Sequence, residues 1–544
     1  MKKRFELPGI SAAEQTPLVN ILVGLVEQMA ETIRDHEETI DVLKDEIQVL
    51  KGEKKRPRFK PSKMDQQPEP STESSDEPEG KPGKKRPGSS KASKTPKLPI
   101  DEVKVIPPST DVPPGSRFKG YRDFTVQDLH ITPHNTRYRL ACWETPEGER
   151  LVGQLPSALA GGHYGPTLVS YLLYQHHHCQ VTQPLLREQL MEWGISISAG
   201  EIDHLLTVNK AVFHDEKDNL LQTGLAVSDY VSVDDSGARH QGKNGYVTQI
   251  GNEDFAWFAS TGSKSRVNFL GLLRAGDERY CLNVQAFDYL KYKLPAIPLK
   301  ALQASAVREV ANAVDWEQHL DDLRITLPRH RTLATEAALL GTLYAQGLRE
   351  DLVILSDDAG QFNILLHALC WIHTERLIHK LIPLNDQQRE AIATVRDQVW
   401  SLYADLKAYR LKPAQFDPQK LTERFDRIFT QATSSGRLNA LLKRIHRNKA
   451  ELLLVLKRPE IPLHTNASET DIRDYVKKRK VSGGTRSELG RQCRDTFASL
   501  KKTCRKLGVS FWEYLMDRQT GAGNILPLST IVEQKAAIRA APDY

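Results

Sequence analysis

The sequence predicts a multidomain α/β protein whose core is a mixed sheet flanked by helices. One observation is a helical pattern over residues 330–348 that leads into an apolar, strand-like run at 352–356. A second is the change in composition along the first 115 residues, which separates N-terminal segments from this core. A third is a set of apolar runs, divided by turn-forming residues, that predicts an antiparallel meander at 230–234, 246–251, 255–261 and 280–285.

The composition fits a soluble chain of several units. With 544 residues, of which 39% are hydrophobic, about three or four domains are expected. The net charge is only +6, but Lys and Arg concentrate in a proline-rich stretch before residue 115 and again after Glu469. Local basic patches favour a polyanionic partner, although charge alone leaves DNA, RNA and a membrane surface open.

The cysteines and the apolar runs indicate a cytoplasmic protein. Six cysteines are scattered without a C-x-x-C pair, which argues against a disulfide framework and a zinc ribbon and fits a reducing compartment. The N-terminus lacks the apolar segment of a signal peptide. No apolar run approaches the roughly 20 residues that span a bilayer.

The N-terminal region predicts a tail (1–16), a coiled coil (17–52) and a disordered Pro/Ser/Lys linker (53–115). The linker has too few apolar residues to fold. A single amphipathic helix packed on the body is the alternative to a parallel, dimer-forming coiled coil. The heptad positions are Val19, Val26, Ile33, Ile40 and Ile47, and three residues later Leu22, Met29, His36, Leu43 and Leu50.

Residues 116–160 predict a small β-rich module, because apolar and polar residues alternate between Pro and Gly turns. Cys142 is the module's single cysteine. Together with His130, His134 or His163 it is a weak signal for zinc, because the spacing is irregular.

Residues 161–225 predict a helical, helix-turn-helix-like DNA-binding segment. Thr182 can cap one helix, Gly194 supplies the turn, and Ser198 with Glu201 predicts a capping box for the next helix. A plain αα-hairpin has the same pattern, so DNA binding stays open here. One cluster is interpreted as an exposed helix end: His176, His177, His178 and Cys179.

Residues 226–362 predict the first part of a ribonuclease-H-like core, because a meander, helices and a strand ending in Asp follow in that order. Residues 363–460 show nearly continuous helical periodicity and predict a helical insertion. Residues 461–517 predict the second part of the core, with basic helices. Residues 518–544 hold few packing residues and predict a C-terminal tail.

Three acidic positions are candidates for metal binding. Asp234 and Asp357 each end an apolar strand, and Glu469 opens a helix dense in Lys and Arg. Carboxylates suit Mg²⁺, and two such ions about 3.5–4 Å apart activate one oxygen and stabilise another in phosphodiester chemistry. Asp235 and Asp358 follow the aspartates, and since strand side chains alternate, only one of each pair can face the ions. We choose the first because it directly ends the run, although an Asp after a strand is also ordinary turn chemistry.

Three segments resemble the insertion-sequence-66-type transposases, a branch of the DDE transposases with a ribonuclease-H-like fold. The likeness covers roughly residues 120–516 and the coiled coil in front. A lone Cys142 replaces the family's cysteine zinc motif, and Glu375-Arg376 replaces its arginine pair. The segments are residues 166–203, the pair 356–362 and 370–376, and the group 466–473, 499–508 and 514–515.

The resemblance implies a DDE triad of Asp234, Asp357 and Glu469 that holds two Mg²⁺ ions, with Mn²⁺ as a substitute. It also implies that Trp371, His373 and Arg376 lie near the second aspartate. The residues that it assigns to DNA are Asn466, Arg473, Lys477, Lys478, Arg479, Lys480 and Arg486.

The implied function is cleavage of the 3′ ends of an insertion sequence and strand transfer, in the bacterial cytoplasm at the nucleoid. The implied partners are double-stranded DNA (terminal inverted repeats and target), a second copy joined through the coiled coil, and companion proteins encoded by the element; a membrane is not among them. One alternative is a non-catalytic DNA-binding regulator or scaffold derived from a transposase. Another is a metal-dependent nuclease that never joins ends.

Overall fold

The computed structural model describes residues 16, 19, 22, 24–26, 29, 99–121, 124–156, 159 and 162–540. Most of the predicted coiled coil (17–52) and of the linker (53–115) lies outside these residues, so the dimer stays a prediction. The chain divides into two units, one of residues 1–37 and 135–544 and the other of residues 38–134. No helix in the described ranges is long and apolar enough to cross a membrane.

Residues 116–160 hold little regular structure where they are described. The β-rich module predicted there is reduced to one exposed hairpin, in which β1 (Cys142–Glu144) pairs antiparallel with β2 (Arg150–Val152). Cys142 is a free, exposed cysteine.

Four helices precede the sheet. Gly194 has a φ of +79° and forms the predicted turn, and the Ser198 side chain caps its helix by accepting from the Glu201 N–H. Thr182 occupies its N-cap position without a side-chain cap bond, contrary to expectation. The helices are α1 (Pro166–Leu173), α2 (Gln183–Glu192), α3 (Ala199–Thr207) and α4 (Ala211–Val227).

The histidine cluster after α1 is not the exposed helix end that the sequence predicts. Residues Tyr174–His178 form a π-helical turn, in which His177 stacks on Phe497 with 4.3 Å between ring centroids. Only His178 and Cys179 of the cluster are exposed. Packing against the C-terminal helices therefore overrides the polar character of the cluster.

A five-stranded mixed sheet forms the centre of the chain, in the order β5-β4-β3-β8-β9. The first three strands in sequence form the predicted antiparallel meander, and β8 and β9 run parallel to β3. All four residues of β8 are buried, as expected for a parallel strand covered on both faces. The strands are β3 (Tyr230–His240), β4 (Lys243–Gly251), β5 (Ala256–Thr261), β8 (Val353–Ser356) and β9 (Leu366–Leu369).

Two strand predictions are wrong. Residues 280–285 do not extend the meander: β6 (Tyr280–Cys281) pairs only with β7 (Glu309–Val310), because Asn283 caps a helix directly behind it. In turn, β9 lies in a region predicted to be helical, since a four-residue apolar run has no readable period. The helices around these strands are α5 (Arg266–Leu273), α6 (Val284–Leu290), α7 (Ala296–Ala304), α8 (Ala313–Asp322) and α9 (Pro328–Ala345).

The helices that follow β9 have an apolar core of their own. Phe425, Phe429, Leu402 and Leu442 are buried at its centre, together with Trp371. The segment therefore packs as a helical subdomain between the last strand and the final helices. Its helices are α10 (Trp371–His379), α11 (Asp386–Leu411), α12 (Pro418–Thr430), α13 (Gly436–Arg447) and α14 (Lys449–Leu452).

Four helices end the chain: α15 (Asn466–Ser482), α16 (Glu488–Leu507), α17 (Phe511–Thr520) and α18 (Leu528–Ala540). The predicted tail at 518–544 is therefore wrong over α18, which packs against α4 with Leu528 and Val532 buried. The sparse apolar residues of this helix gave a weak helical pattern, and burial of only a few of them suffices to hold it.

Helix α16 covers the outer edge of the sheet. The acceptor side chains on α16 recur every four residues, about 6 Å along a helix. The donor N–H groups on β5 recur every two residues, about 6.6 Å along a strand, so the two spacings match. Covering an edge in this way satisfies N–H groups that would otherwise be unpaired. Three N–H groups of β5 donate to it: Ala256 to Thr503, Phe258 to Ser499 and Ser260 to Asp495.

Candidate functional site

Asp234 and Asp357 lie side by side at neighbouring strands of the sheet. Asp234 does not end its strand as the sequence predicts, because β3 continues to His240 in its hairpin with β4. Strands β3 and β8 are parallel, with Ser232 opposite Leu355. Continuing this register by two residues brings Asp234 next to Asp357, which directly follows β8. The charge of Asp357 accordingly acts on the pKa of Asp234. The shared register brings together two carboxylates that are 123 residues apart in sequence.

A serine contact aligns the first turn of α15 with this end of the sheet. The buried Ser468 donates its hydroxyl to the Ser232 hydroxyl at 2.6 Å. Ser232 and Asp234 are two residues apart on β3, so they share one face of the sheet. Glu469, the next residue after Ser468, therefore reaches the face that carries Asp234, and its charge also acts on the pKa of Asp234.

Partial burial and neighbouring negative charges make ionisation of the Asp234 carboxyl unfavourable. Its pKa is raised to about 6, first by burial and then by the charges of Asp357 and Glu469. A hydrogen bond from the Asp235 N–H and the charge of His373 act in the opposite direction. A bound cation would relieve this repulsion, which is the electrostatic property expected of a metal site.

The second acid of each pair is engaged elsewhere. Asp235 accepts from the Thr248 hydroxyl and, at 3.0 Å, from the Gln361 amide. Asp358 forms an ion pair with Arg444 and accepts from the Asn448 amide at 3.2 Å. Asp234 and Asp357 therefore stay the predicted metal-binding members of the two pairs.

Glu469 is surrounded by cationic groups. Arg376 Nη1 donates to its Oε1 at 3.0 Å, and Arg473 Nη2 lies 3.4 Å from Oε2. His373 Nε2 lies 3.5 Å from Oε1. The pKa of His373 is raised, mainly by its hydrogen bond with the Cys370 thiol and further by the Glu469 carboxylate, against the effect of burial. The predicted neighbours His373 and Arg376 thus contact the glutamate directly.

Trp371 lies close to the second aspartate through its backbone, since the N–H of the preceding Cys370 donates to the Ser356 carbonyl at 2.9 Å. Its side chain is buried in the core of the helical subdomain, and its indole donates to the Leu452 carbonyl at 2.9 Å. The neighbouring Glu375, which replaces an arginine of the family pattern, is also buried and forms an ion pair with Arg396 at 2.5 Å. Helix α10 therefore presents one face to the site, with His373 and Arg376, and another face to its own subdomain.

A cavity of about 440 Å³ lies beside Asp357, between the end of β8 and helices α10 and α13. Its polar lining combines acids and bases, and its apolar lining comes from the helical subdomain. It thus extends the site away from Asp234. The lining residues include Asp357, Asp358, Arg376, Lys380, Arg444 and Asn448, with Leu369, Leu377 and Ile445.

The donor set suits a hard cation, but it is not assembled around one. Asp234, Asp357 and Glu469 offer the carboxylate oxygens that Mg²⁺ and Mn²⁺ prefer. Within the described ranges, no three His, Cys, Asp or Glu side chains are grouped to hold a metal ion as they stand. Glu469 would have to exchange Arg376 and His373 for the metal. The residues thus fit the ions by chemistry and charge once that exchange takes place.

The residues assigned to DNA differ in accessibility. Arg473, Lys477, Lys480 and Arg486 are exposed, and Asn466 and Arg479 are half-buried. Lys478 is buried, contrary to its predicted role: its ammonium donates to the His176 carbonyl at 2.6 Å. Burial, aided by the charges of Arg494 and Lys501, lowers the pKa of Lys478 to about 7.

Several residues of the site carried no signal in the sequence. The Ser232–Ser468 contact joins positions 236 residues apart, and Arg444 reaches Asp358 from another helix. The flanking apolar runs marked the strand ends but not these partners. Only the fold brings them together.

The region that carries Asp357 and Glu469 is similar to known proteins. A family model described as the transposase IS66 family matches residues 338–493. The chain is also 46% identical over 323 residues to the uncharacterised protein y4jO of Sinorhizobium fredii (strain NBRC 101917 / NGR234), an alignment that covers 58% of this chain and 100% of that protein. The family match includes Asp357 and Glu469, whereas Asp234 precedes it. The chain belongs to the IS66 transposase family.

Proposed function

We propose that the protein is a DNA transposase that cleaves the 3′ ends of an insertion sequence and transfers them to target DNA. The observation that carries the proposal is the convergence of Asp234, Asp357 and Glu469 at one end of the sheet, with the pKa of Asp234 raised to about 6. Neighbouring carboxylates that are partly withdrawn from water repel one another unless a cation binds between them, so their arrangement favours a metal-dependent reaction.

We infer that the five-stranded sheet is a ribonuclease-H-like core. A three-stranded meander followed by two strands parallel to the first supports this inference. The acids then lie on two central strands and on a helix that packs over them. Rigid elements of this kind hold reacting groups with the accuracy that catalysis needs.

In this proposal Asp234, Asp357 and Glu469 hold two Mg²⁺ ions, or Mn²⁺ in their place. The ions, when bound, supply an activated oxygen nucleophile and charge stabilisation for the leaving oxygen. Arg376 and Arg473, released from Glu469, are positioned to contact the phosphates of the strand being cut. The cavity beside Asp357 leaves room for DNA next to the reacting phosphate.

The partners follow from the same proposal. The terminal inverted repeats and the target are double-stranded DNA, and a second copy would join through the heptads of residues 17–52. Companion proteins encoded by the element and a location at the bacterial nucleoid belong to the proposal too.

The test is Glu469→Gln, which keeps the size of the side chain and removes its charge. We expect loss of Mg²⁺-dependent cleavage of a duplex that carries the element's end, with duplex binding within about twofold of wild type. Glu350→Gln, an exposed acid before β8, is the matched control and should cleave normally. Full cleavage by Glu469→Gln would refute the triad.

A second candidate is a non-catalytic DNA-binding regulator or scaffold. The observation that favours it is the engagement of Glu469 by Arg376 and His373. If those pairs persist in the presence of Mg²⁺ or Mn²⁺, the protein would bind duplex without nicking it under any divalent ion. Nicking without joining would instead identify a nuclease.

A further inference from the structure

The tip of the β3–β4 hairpin is joined to the loop between α15 and α16. The Gln241 N–H donates to the Thr485 carbonyl at 2.8 Å, and the Thr485 N–H donates to the Arg239 carbonyl at 2.9 Å. The imidazole of His240 adds a hydrogen bond to the Thr485 hydroxyl at 2.8 Å. These contacts join two segments 245 residues apart into one backbone-bonded surface.

Glycine makes this junction possible. A Cβ on Gly484 would lie 2.4 Å from the Arg239 carbonyl oxygen, closer than any real side chain can approach backbone. On β3, a Cβ on Gly237 would lie 3.1 Å from the Arg479 guanidinium. The loop can thus lie directly on the hairpin because Gly484 has no side chain, and Gly237 leaves space for the Arg479 guanidinium.

The joined surface is strongly basic. None of its five cations forms an ion pair with any residue in the described ranges. One acid beside the junction, Glu488, is paired with Arg491 and lies 3.6 Å from His240. We name this surface the basic ridge, composed of Arg239, Lys243, Arg479, Lys480 and Arg486.

We propose that the basic ridge binds the phosphate backbone of duplex DNA about five base pairs from the cut. This inference rests on the proposed function and adds Arg239 and Lys243, which lie on the hairpin and not on the C-terminal helices. Arg239 is five residues beyond Asp234 on β3, about 17 Å at the rise of a strand. That span equals about five base pairs at 3.4 Å each.

The chemistry of the ridge favours a nucleic acid over an acidic protein. Its cations come from two segments held together by backbone hydrogen bonds, so the backbone that carries them is preformed. A duplex presents evenly spaced phosphates and needs no side-chain complementarity from the protein. Four of its five cations are exposed and Arg479 is half-buried, so the ridge offers charge at the surface.

The first test is the salt dependence of binding to a random-sequence 40-base-pair duplex. Each phosphate contact makes the slope of log K against log salt more negative by about 0.9, so Arg239→Ala with Lys243→Ala should make the slope less steep by about 1.8. At 0.1 M salt the same arithmetic gives a loss of affinity of up to about 60-fold. Lys300→Ala with Arg329→Ala removes the same charge from exposed positions on α7 and α9 and should leave the slope unchanged.

The second test changes no charge. Gly484→Ala should separate the loop from the hairpin and weaken duplex binding by several-fold, with the melting temperature monitored. Gly271→Ala, in α5 where nothing lies within 4 Å of the added Cβ, is the control.

The third test locates the contact. Neutral methylphosphonates four to six base pairs from the cut, placed on either side, should weaken binding of the wild type but not of the Arg239→Ala, Lys243→Ala variant. If methylphosphonates weakened binding equally in both proteins, or if the salt slope were unchanged in the variant, the proposed phosphate contact of the basic ridge would be refuted. Cleavage by the wild type is read separately, since its absence would contradict the transposase and leave a positive ridge result standing.

Discussion

The two sides of the carboxylate site differ in what surrounds each acid. On the sheet side, Asp234 is half-buried beside Asp357 and its pKa is raised to about 6. On the helix side, Glu469 is engaged by Arg376, His373 and Arg473. Asp234 thus has carboxylates as its charged neighbours, whereas Glu469 has cationic side chains as its partners. In the proposed function, assembly of the metal site depends mainly on releasing Glu469 from its cationic partners.

The largest effect expected from this comparison is at Asp357. Asp357→Asn should reduce Mg²⁺-dependent cleavage by at least ~10³-fold, because a metal-binding carboxylate has no substitute in a two-ion reaction. Asp358→Asn should cost at most ~10-fold, since that acid is paired with Arg444. Single-turnover cleavage measures both variants. Similar losses in the two would show that the wrong member of the pair has been chosen.

Asp234 should destabilise the metal-free fold at neutral pH. Its folded-state pKa of about 6 lies above the unfolded value, so the folded chain holds the proton longer and stability falls as pH rises from about 4 to about 6. Asp234→Asn should therefore stabilise the protein by about 1–3 kcal/mol at pH 7 and by almost nothing at pH 4. Urea unfolding at the two pH values measures this. No gain at pH 7 would contradict the repulsion at this acid.

Glu469→Gln should behave in the opposite sense in the same unfolding experiment. Its carboxylate accepts from Arg376 and Arg473, so neutralising it should give no stabilisation at pH 7. If both variants were equally stabilised, the contrast between the two sides of the site would be lost.

Arg376 should compete with metal for Glu469. Arg376→Ala is expected to tighten Mn²⁺ binding by ~2- to 5-fold, because a half-exposed ion pair contributes about 0.5–1 kcal/mol. Cleavage should fall in the same variant, because the proposed phosphate contact is lost. Mn²⁺ titration followed by electron paramagnetic resonance separates the two effects. Arg329→Ala, an exposed arginine on α9, is the control for both.

The smallest effect is expected at the serine contact. Ser468→Ala removes the hydroxyl that donates to Ser232 and should cost about 0.5–1.5 kcal/mol of stability. A several-fold loss of cleavage should accompany it, because α15 then holds Glu469 less accurately. Thr470→Ala, exposed on the same helix, should change neither quantity. Equal cleavage by the two variants would show that the serine does not position the glutamate.

The sequence predicted the central meander, the strand before Asp357 and the helix that begins near Glu469, because each has a strong local pattern. It failed where the pattern was short or shared. The run at 366–369 is too brief to distinguish strand from helix. Tyr280–Cys281 does not join the central sheet, because a helix capped by Asn283 begins directly after it. The sequence pattern is also weak over α18, because this helix has few apolar residues and depends on tertiary packing for its stability.

What the sequence determined by itself was the set of acids and their likeness to a transposase family, since these depend on residue types at fixed local offsets. Only the tertiary structure shows what the second acid of each pair contacts and which cations contact Glu469. It also shows that the side chains of Trp371 and Lys478 are buried. These outcomes depend on strand register and on contacts between residues up to 302 positions apart, such as Lys478 with His176. Local patterns carry no information on such distances, so only the packed chain could settle them.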